Sequence, residues 1–309
     1  MPVSAKQSFD YETTFTLEDL RNWRRDKPSL AVVGKPINHS RSPKMHNTAL
    51  AELSKTLPHF SDWRYFKFEI DPDDLGEALP LFHKNQFAGL NLTLPHKVIA
   101  CDHVVGLSGI AKAIGAVNTL IWHDNGFYGH NTDGPGFARA LREDLGESLH
   151  GANVVLLGAG GAARAISAIA LEEDCRTLWI GNRDQGRLTG LINQISTSYP
   201  ERAGRIHGFK LNEVPTDLPA KCIVINATSF GLKPGDGSPF PPELFVPGMI
   251  AYDTIYEPEE TTFLKAARGA KVPAANGLSM LCWQGALALE LWTHARAPVH
   301  AMLAAIGKS

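Results

Sequence analysis

Short apolar runs alternate along the chain with stretches of helical spacing. Residues 30–34, Leu-Ala-Val-Val-Gly, read as a strand, and the polar loop Pro36-Ile-Asn-His-Ser-Arg-Ser-Pro43 leads into a helix with Pro43 at its first position and Ser42 as its cap. Residues 63–70 alternate polar and apolar positions as a half-buried strand does, and 73–83 carry helical spacing. In Asn91-Leu-Thr-Leu-Pro-His-Lys97, alternation puts Asn91 and Thr93 on one face and Leu92 and Leu94 on the other, and Pro95 opens a helix. Residues 115–122, which include Asn118, and 124–130 read as two strands joined at Asn125-Gly126. Strand and helix alternating in this way predict an open α/β sheet.

After one helix within 134–151 the signal changes. Residues 153–157 form a continuous apolar strand that runs into Gly158-Ala159-Gly160-Gly161-Ala162-Ala163 and a helix start, the context that a dinucleotide fingerprint requires, with Ala163 in the third glycine position. Further strands are predicted over 177–180, 222–227 and 250–256, the third of them reaching Tyr256. Asn276-Gly277 marks a turn before a strongly apolar helix over 280–292, whose polar member is Gln284. At the other end, Thr16-Leu-Glu-Asp19 is a capping box for a charged helix reaching Arg25, within an N-terminal appendage that packs on the first domain.

Composition narrows the function classes. The 309 residues are enough for two domains, and 44% apolar with 20% charged is the balance of a soluble globular protein. A formal net charge of −2 with both signs dispersed gives no basic stripe for nucleic acid and no polybasic patch for a membrane, so the expected partner is a small molecule. The four cysteines have neither zinc spacing nor a redox pair, which implies a reducing compartment with buried thiols and no metal. Residues 1–27 lack the apolar segment of a signal peptide, and the expected location is cytoplasmic.

The candidate chemistry starts at Lys97. It falls in a first helical turn, where the dipole disfavours a cation; taken alone it reads equally as a solvated surface amine. Asp133 lies in the turn-forming run His130-Asn-Thr-Asp-Gly-Pro-Gly136, and a lysine paired with such a carboxylate can relay a proton to an alcohol or ketone oxygen. Ser40 and Ser42, two apart before a helix, form a carboxylate cradle, or a helix cap and nothing more. The amide of Asn118 suits a hydroxylated ligand or a stitch between strands. His39, His96 and His130 read as surface or supporting polar groups. At the end of the second strand of the fingerprint domain, Asn182 and Arg183 replace the acid expected for NAD; Arg183 with Arg187 favours the 2′-phosphate of NADP, and Asp184 beside them dissents.

In order along the chain, Ser40/Ser42, the 91–97 stretch, Gly115-Ala-Val-Asn-Thr119, Asn131-Thr-Asp-Gly134, the 158–162 glycine turn, Asn182-Arg183, Asn226-Ala-Thr-Ser229 and Gly277-Leu-Ser-Met-Leu-Cys-Trp-Gln284 together resemble the shikimate dehydrogenase family over nearly all of residues 30–293. The resemblance implies an α/β chain with an N-terminal α/β substrate domain (29–134), a Rossmann NADP-binding domain (135–275) and C-terminal helices (276–309) returning to the first domain. It leaves 1–28 as an extension and places the active site in the interdomain cleft. It implies Lys97 and Asp133 as the catalytic pair, Ser40 and Ser42 on a ring carboxylate, and Thr93, Asn118, Tyr256 and Gln284 on other substrate groups. For the cofactor it implies Gly158, Ala159, Gly160, Gly161, Ala162, Asn182, Arg183, Arg187 and Thr228, with Gly277 and Met280 at the nicotinamide. The implied reaction is reduction of 3-dehydroshikimate to shikimate by NADPH in aromatic amino acid biosynthesis, by a monomer or homodimer. Ser279 stands where the family usually has glycine, which narrows the nicotinamide pocket. Quinate or dual quinate/shikimate dehydrogenases share most of these motifs but tend to carry threonine at the second serine, so Ser42 points to shikimate. A non-catalytic sensor of the same ligands is the reading from another class, and Lys97 and Asp133 argue against it.

Overall fold

The computed structural model describes residues 10–215 and 217–308. Two compact units emerge: one takes the chain up to Ala111, Gly115–Asn131 and everything from Gly285 on, and the other takes Lys112–Ile114 and Thr132–Gln284.

The first unit contains β1 (Thr14–Phe15), α1 (Leu17–Arg21), β2 (Ser29–Gly34), α2 (Ser42–Ser54), β3 (Arg64–Glu69), α3 (Leu75–Lys84), β4 (Phe87–Leu92), α4 (His96–Ile99), β5 (Gly106–Leu107), most of α5 (Gly109–Ile114), β6 (Thr119–His123) and β7 (Gly126–His130). Its sheet runs β1-β3-β2-β4-β6-β7-β5, with β6 antiparallel to both of its neighbours and the other pairs parallel. Its aromatic core gathers Phe15, Trp23, Phe66, Phe68, Phe82 and Phe87.

Several predicted boundaries shift for tertiary reasons. The capping box at Thr16 and Asp19 forms, but α1 stops at Arg21, four residues short of the predicted end, because Trp23 turns into the core and packs edge-on against Phe15 and Phe66, 5.3 and 5.2 Å between centroids. Residues 14–15 are an edge strand of the sheet, so the described part of the N-terminal stretch is built into the fold and is no appendage. Residues 1–9 lie outside the described residues. Tyr65 to Phe68 are buried on both faces of β3, not alternately, because α2 packs on one face, where His46 stacks on Tyr65, and the aromatic core takes Phe66 and Phe68 on the other. Strand β4 ends at Leu92; Thr93 leaves the ladder, and Leu94 is 69% exposed instead of following Leu92 inward. The strand predicted from 115 begins at Thr119, since helix α5 runs to Ile114 and closes on Gly115 in the left-handed conformation.

The second unit contains α6 (Asp133–Leu145), β8 (Asn153–Leu157), α7 (Gly161–Glu172), β9 (Thr177–Asn182), α8 (Gln185–Ser198), β10 (Ile206–Lys210), β11 (Ile223–Asn226), β12 (Ile250–Asp253), α9 (Thr262–Gly269), β13 (Ala274–Ala275) and the first part of α10 (Leu278–Thr293). All its strand pairs are parallel, in the order β10-β9-β8-β11-β12-β13. This is the 3-2-1-4-5-6 order of the dinucleotide-binding fold, whose strand direction of growth reverses beside β8. One face is covered by a core including Phe137, Ile166 and Leu188, the other by one including Phe240, Phe263 and Leu264. Strand β12 stops at Asp253, so Tyr256 lies in the loop beyond it. The rest of α10 and α11 (Val299–Ala305) belong to the first unit, where α11 packs on α2. Among the described residues no helix is long and apolar enough to cross a membrane. No disulfide joins the cysteines; Cys101 is half-buried, and the other three are buried.

Candidate active site

In the first unit the predicted residues collect at the carboxyl ends of β2 and β4, the edge where open α/β sheets bind ligands. The Thr93 N–H donates to the Val33 carbonyl and the Lys35 N–H to that of Leu94, both at 3.0 Å, which pins the two strand exits side by side. The Thr93 carbonyl accepts from His96 N–H at 2.9 Å, closing the turn into α4, and Lys97 is the second residue of that short helix. The Lys97 carbonyl accepts from Val117 N–H at 2.7 Å, so the residue before Asn118 is tied to the backbone of the lysine. His96 is no surface group: it is fully buried, its Nε2 pairs with the Ile70 carbonyl at 3.0 Å, and burial lowers its pKa, so the ring ties the loop to the end of β3 as a neutral group. His39 is exposed and His130 half-buried.

Ser42 is the first residue of α2 and not its cap, because Arg41 already has helical dihedrals (φ −82°, ψ −7°). Ser40 fills the polar gap instead, its Oγ accepting from Ser42 N–H at 3.3 Å, while Ser42 is 7% exposed. Asn118, 1% exposed, sits just before β6, with its N–H on the His130 carbonyl and its own carbonyl accepting from Leu92 N–H at 2.8 Å.

In the second unit each parallel strand delivers its predicted residues at the same carboxyl edge. After β8, Gly158 has φ +119°, and a Cβ there would lie 2.6 Å from the Ala227 carbonyl oxygen, so only glycine fits. Ala159 is buried beneath the turn, whereas a Cβ on Gly160 would meet nothing within 4 Å. Gly160 caps α7 without a side chain, leaving the first amides of Gly161 and Ala162 unserved by any capping group. After β9, Asn182 Nδ2 donates to the Asp184 carbonyl at 2.8 Å, and the exposed Arg183 lies over the Phe230 ring at 5.8 Å. The dissenting Asp184 is the N-cap of α8: its Oδ1 accepts from Arg187 N–H at 3.0 Å, and Arg187 Nε stands 3.7 Å from Oδ2. After β11, Thr228 is held by Asn226 Oδ1, which accepts from its N–H at 3.0 Å and from its hydroxyl at 2.7 Å. After β13, Gly277 crosses so close to Thr254 that a Cβ would fall 2.1 Å from its carbonyl oxygen.

Asp133, 4% exposed, opens α6, where the positive end of the helix favours a carboxylate. Gly136 of the same helix meets the Gln284 backbone of α10, a Cβ there lying 2.7 Å from the Gln284 nitrogen. Gln284 is half-buried, with Nε2 on the Leu281 carbonyl at 2.9 Å, and Tyr256 is half-buried. Met280 is 7% exposed and belongs to the core around Phe137 and Tyr252. The Ser279 hydroxyl is turned onto Asp144 Oδ1 at 2.8 Å. Sequence reasoning overlooked the residues behind these groups, above all Tyr65, Thr119 and Asp253.

The description "Shikimate dehydrogenase substrate binding domain" matches residues 32–120, and "Shikimate 5'-dehydrogenase C-terminal domain" matches 277–306. A shikimate dehydrogenase (NADP(+)) of Moorella thermoacetica is 38% identical over 275 residues, covering 88% of this chain and 90% of that protein. This chain belongs to the shikimate dehydrogenase family. The shikimate 5-dehydrogenase of Thermus thermophilus, solved with NADP(H) and shikimate, superposes with a TM-score of 0.78 at 34% identity over 90% of this chain and 98% of that one. The quinate dehydrogenase of Corynebacterium glutamicum, solved with NAD, gives 0.79 at 27% identity over 91% and 99%. The family fold is therefore shared by proteins named for different substrates, and side chains must carry the distinction.

The second unit fits a dinucleotide on its own geometry. An uncapped α7 terminus behind a glycine turn that leaves space at Gly160 has the geometry that suits a pyrophosphate, and the exposed guanidinium of Arg183 stands at the end of the neighbouring strand.

Proposed function

We infer that this protein catalyses the reversible NADP-dependent reduction of 3-dehydroshikimate to shikimate. The observation that carries the reading is the 38% identity to a shikimate dehydrogenase (NADP(+)) over 88% of the chain, together with polar side chains held at the carboxyl edge of each sheet. When bound, the dinucleotide supplies the hydride. For the ring, Ser40 and Ser42 take the carboxylate and Thr93 and Asn118 take ring oxygens, with Tyr256 and Gln284 as further substrate contacts. Lys97 polarises the carbonyl and gives it a proton as the alkoxide forms, with Asp133 as its carboxylate partner. In the reverse direction the same amine receives the alcohol proton.

Gly158 to Ala162 seat the pyrophosphate, Asn182, Arg183 and Arg187 meet the adenosine end, and Thr228, Gly277 and Met280 border the nicotinamide. Asp184 beside them serves as the N-cap of α8, its Oδ1 accepting from the amide of Arg187. Replacing Arg183 by alanine is expected to raise KM for NADP roughly 10- to 100-fold, the worth of one or two hydrogen bonds to a charged group, and to leave KM for NAD unchanged. Equal changes for both dinucleotides would refute the 2′-phosphate assignment.

Initial rates at 340 nm with shikimate and with quinate, each against NADP and NAD, test the reaction. The highest kcat/KM is expected for shikimate with NADP. The fold likeness to a quinate dehydrogenase keeps that substrate as the second reading, and an equal kcat/KM on quinate would establish it. Cofactor binding with no turnover of either acid would favour a sensor.

A further inference from the structure

Strand β1 belongs to the stretch ahead of residue 32, where the match to the family's substrate domain begins, and the proposed reaction gives that stretch no task. Its side chains nonetheless build it firmly into the first unit. Phe15, Leu20 and Trp23 are 3% exposed or less and lie in the aromatic core, Phe15 against Phe66 and Phe68 at 5.8 and 5.4 Å between centroids. The Leu20 carbonyl accepts from Asn85 Nδ2 at 3.0 Å, and the Arg21 guanidinium donates to both carboxylate oxygens of Glu77 at 2.7 and 3.0 Å. In the ladder Thr14 stands opposite Lys67 and Phe15 opposite Phe68. Alternation sends Phe15 into the core and leaves Thr14 on the other face of the sheet, beside Lys67.

From that face Thr14 and Lys67 reach the same residue of the loop between β2 and α2. The Thr14 hydroxyl donates to Asn38 Oδ1 at 2.8 Å, and the ammonium of Lys67, a residue only 8% exposed, donates to the Asn38 carbonyl at 3.3 Å. One bond holds the side chain and the other the main chain, so Asn38 is fixed at two points. Further along β3, Glu69 Oε2 accepts from Ile37 N–H at 3.4 Å, and the Ile37 carbonyl accepts from Ser40 N–H at 3.0 Å, which closes a turn with Asn38 at its centre. Glu12, just ahead of β1, lines a cleft of about 360 Å³ together with Ser40, Arg41 and Lys44, so the same segment runs beside the serine itself.

We propose that Thr14 is a positioning residue for the substrate: with its cross-strand partner Lys67 it grips Asn38, and through the turn from Ile37 it holds Ser40 where the ring carboxylate binds. The inference deepens the proposed function and rests on the reading of Ser40 as a carboxylate contact. A loop without these bonds has to order its backbone each time the substrate enters, whereas a loop already held binds the carboxylate without that cost. The effect belongs to substrate binding and not to proton or hydride transfer, because none of these bonds involves Lys97 or a residue of the second unit.

Thr14→Val keeps the shape and the strand propensity and removes the hydroxyl. KM for shikimate is expected to rise about three- to tenfold, as for one lost hydrogen bond, with kcat within about twofold and KM for NADP unchanged. Thr14→Ser, which keeps the donor, is expected to restore the wild-type constants. The methyl ester of shikimate offers Ser40 no charged carboxylate, so its KM or inhibition constant is expected to differ by less than about twofold between wild type and Thr14→Val. A merely structural role would move the ester and the NADP constant along with the acid. Asn38→Ala removes the receiving side chain at an exposed loop position and carries the test should the strand variant fold poorly. It is expected to reproduce the rise, and on that background Thr14→Val is expected to add less than about twofold. An unchanged KM for shikimate in either folded variant, equal shifts for acid and ester, or full additivity of the two substitutions overturns the inference alone. Wild-type protein that does not turn over shikimate overturns the reading of Ser40, and this inference with it.

Discussion

Lys97→Ala is expected to lower kcat for shikimate oxidation by about 10²- to 10⁴-fold while KM for shikimate moves only a few-fold, because the amine acts on the proton that moves in the transition state and not on the groups that hold the ring. The backbone around it supports a clean substitution. The Lys97 carbonyl is held by the Val117 N–H, the turn into α4 is closed by the His96 N–H on the Thr93 carbonyl, and His96 anchors the helix to Ile70 from below. None of these bonds uses the lysine side chain, so alanine keeps the loop in place. Asp133 opens its own helix, and its neighbour Thr132 accepts from Gly136 N–H through the main chain, so that backbone too is independent of the amine. Steady-state rates and a melting curve on the purified variant decide the matter. A near-normal kcat with a raised KM would make Lys97 a binding group and would end the proton-relay reading.

What the sequence made legible was local. The strand, glycine turn and helix over 153–172 were readable because strand burial, the left-handed Gly158 and the amide-rich helix start are all decided by neighbours in sequence, and the strand order then follows the same pattern. Lys97 and Asp133 could be singled out because a cation at a helix start and a carboxylate in a turn-forming run are anomalies that a single stretch displays. Other features depend on groups distant in the chain. That α1 ends at Arg21 is decided by Phe66 and Phe87 receiving Trp23; that Ser40 and not Ser42 serves the α2 terminus is decided by the dihedral of Arg41. Tyr65 reads in sequence as one more position in an alternating strand, and its partners are Asn91, 26 residues away, and His46 and Trp292 on separate helices. Asp184 has the wrong sign for a phosphate neighbourhood, and its place there is explained by the α8 terminus, whose Arg187 amide it caps.

The largest effect on stability is expected at Asp253, a carboxylate at 0% exposure between two of the loops that border the proposed dinucleotide site. Its Oδ1 accepts from Asn226 Nδ2 and from Ile255 N–H, both at 3.0 Å, and its Oδ2 from the Thr261 hydroxyl. Asn226 in turn holds Thr228, and the Ile255 carbonyl accepts from Gly277 N–H at 3.0 Å, so this one side chain sets both loops. Burial raises its pKa to about 6, against which the bonds from Thr261, Ile255 and Asn226 work only in part. A carboxyl whose folded pKa lies above its unfolded value makes the charged form costly in the fold. The cost is fully present above about pH 6 and disappears below the unfolded value near pH 4, so this group's contribution improves as pH falls through that window. A rise to about 6 from the ordinary carboxyl value corresponds to roughly 3 kcal/mol. Asp253→Asn keeps the shape and removes the charge: its stability relative to wild type is expected to be greater by about that amount at pH 8 than at pH 4, as read from urea curves at the two pH values. Asp253→Ala, by contrast, strips three donors of their acceptor and is expected to cost about 3 kcal/mol at pH 8 and to raise KM for NADP more than KM for shikimate. Parallel stability profiles of wild type and Asp253→Asn from pH 4 to pH 8 would show that the buried carboxyl keeps an ordinary pKa, and an unshifted NADP constant in the alanine variant would detach it from the cofactor loops.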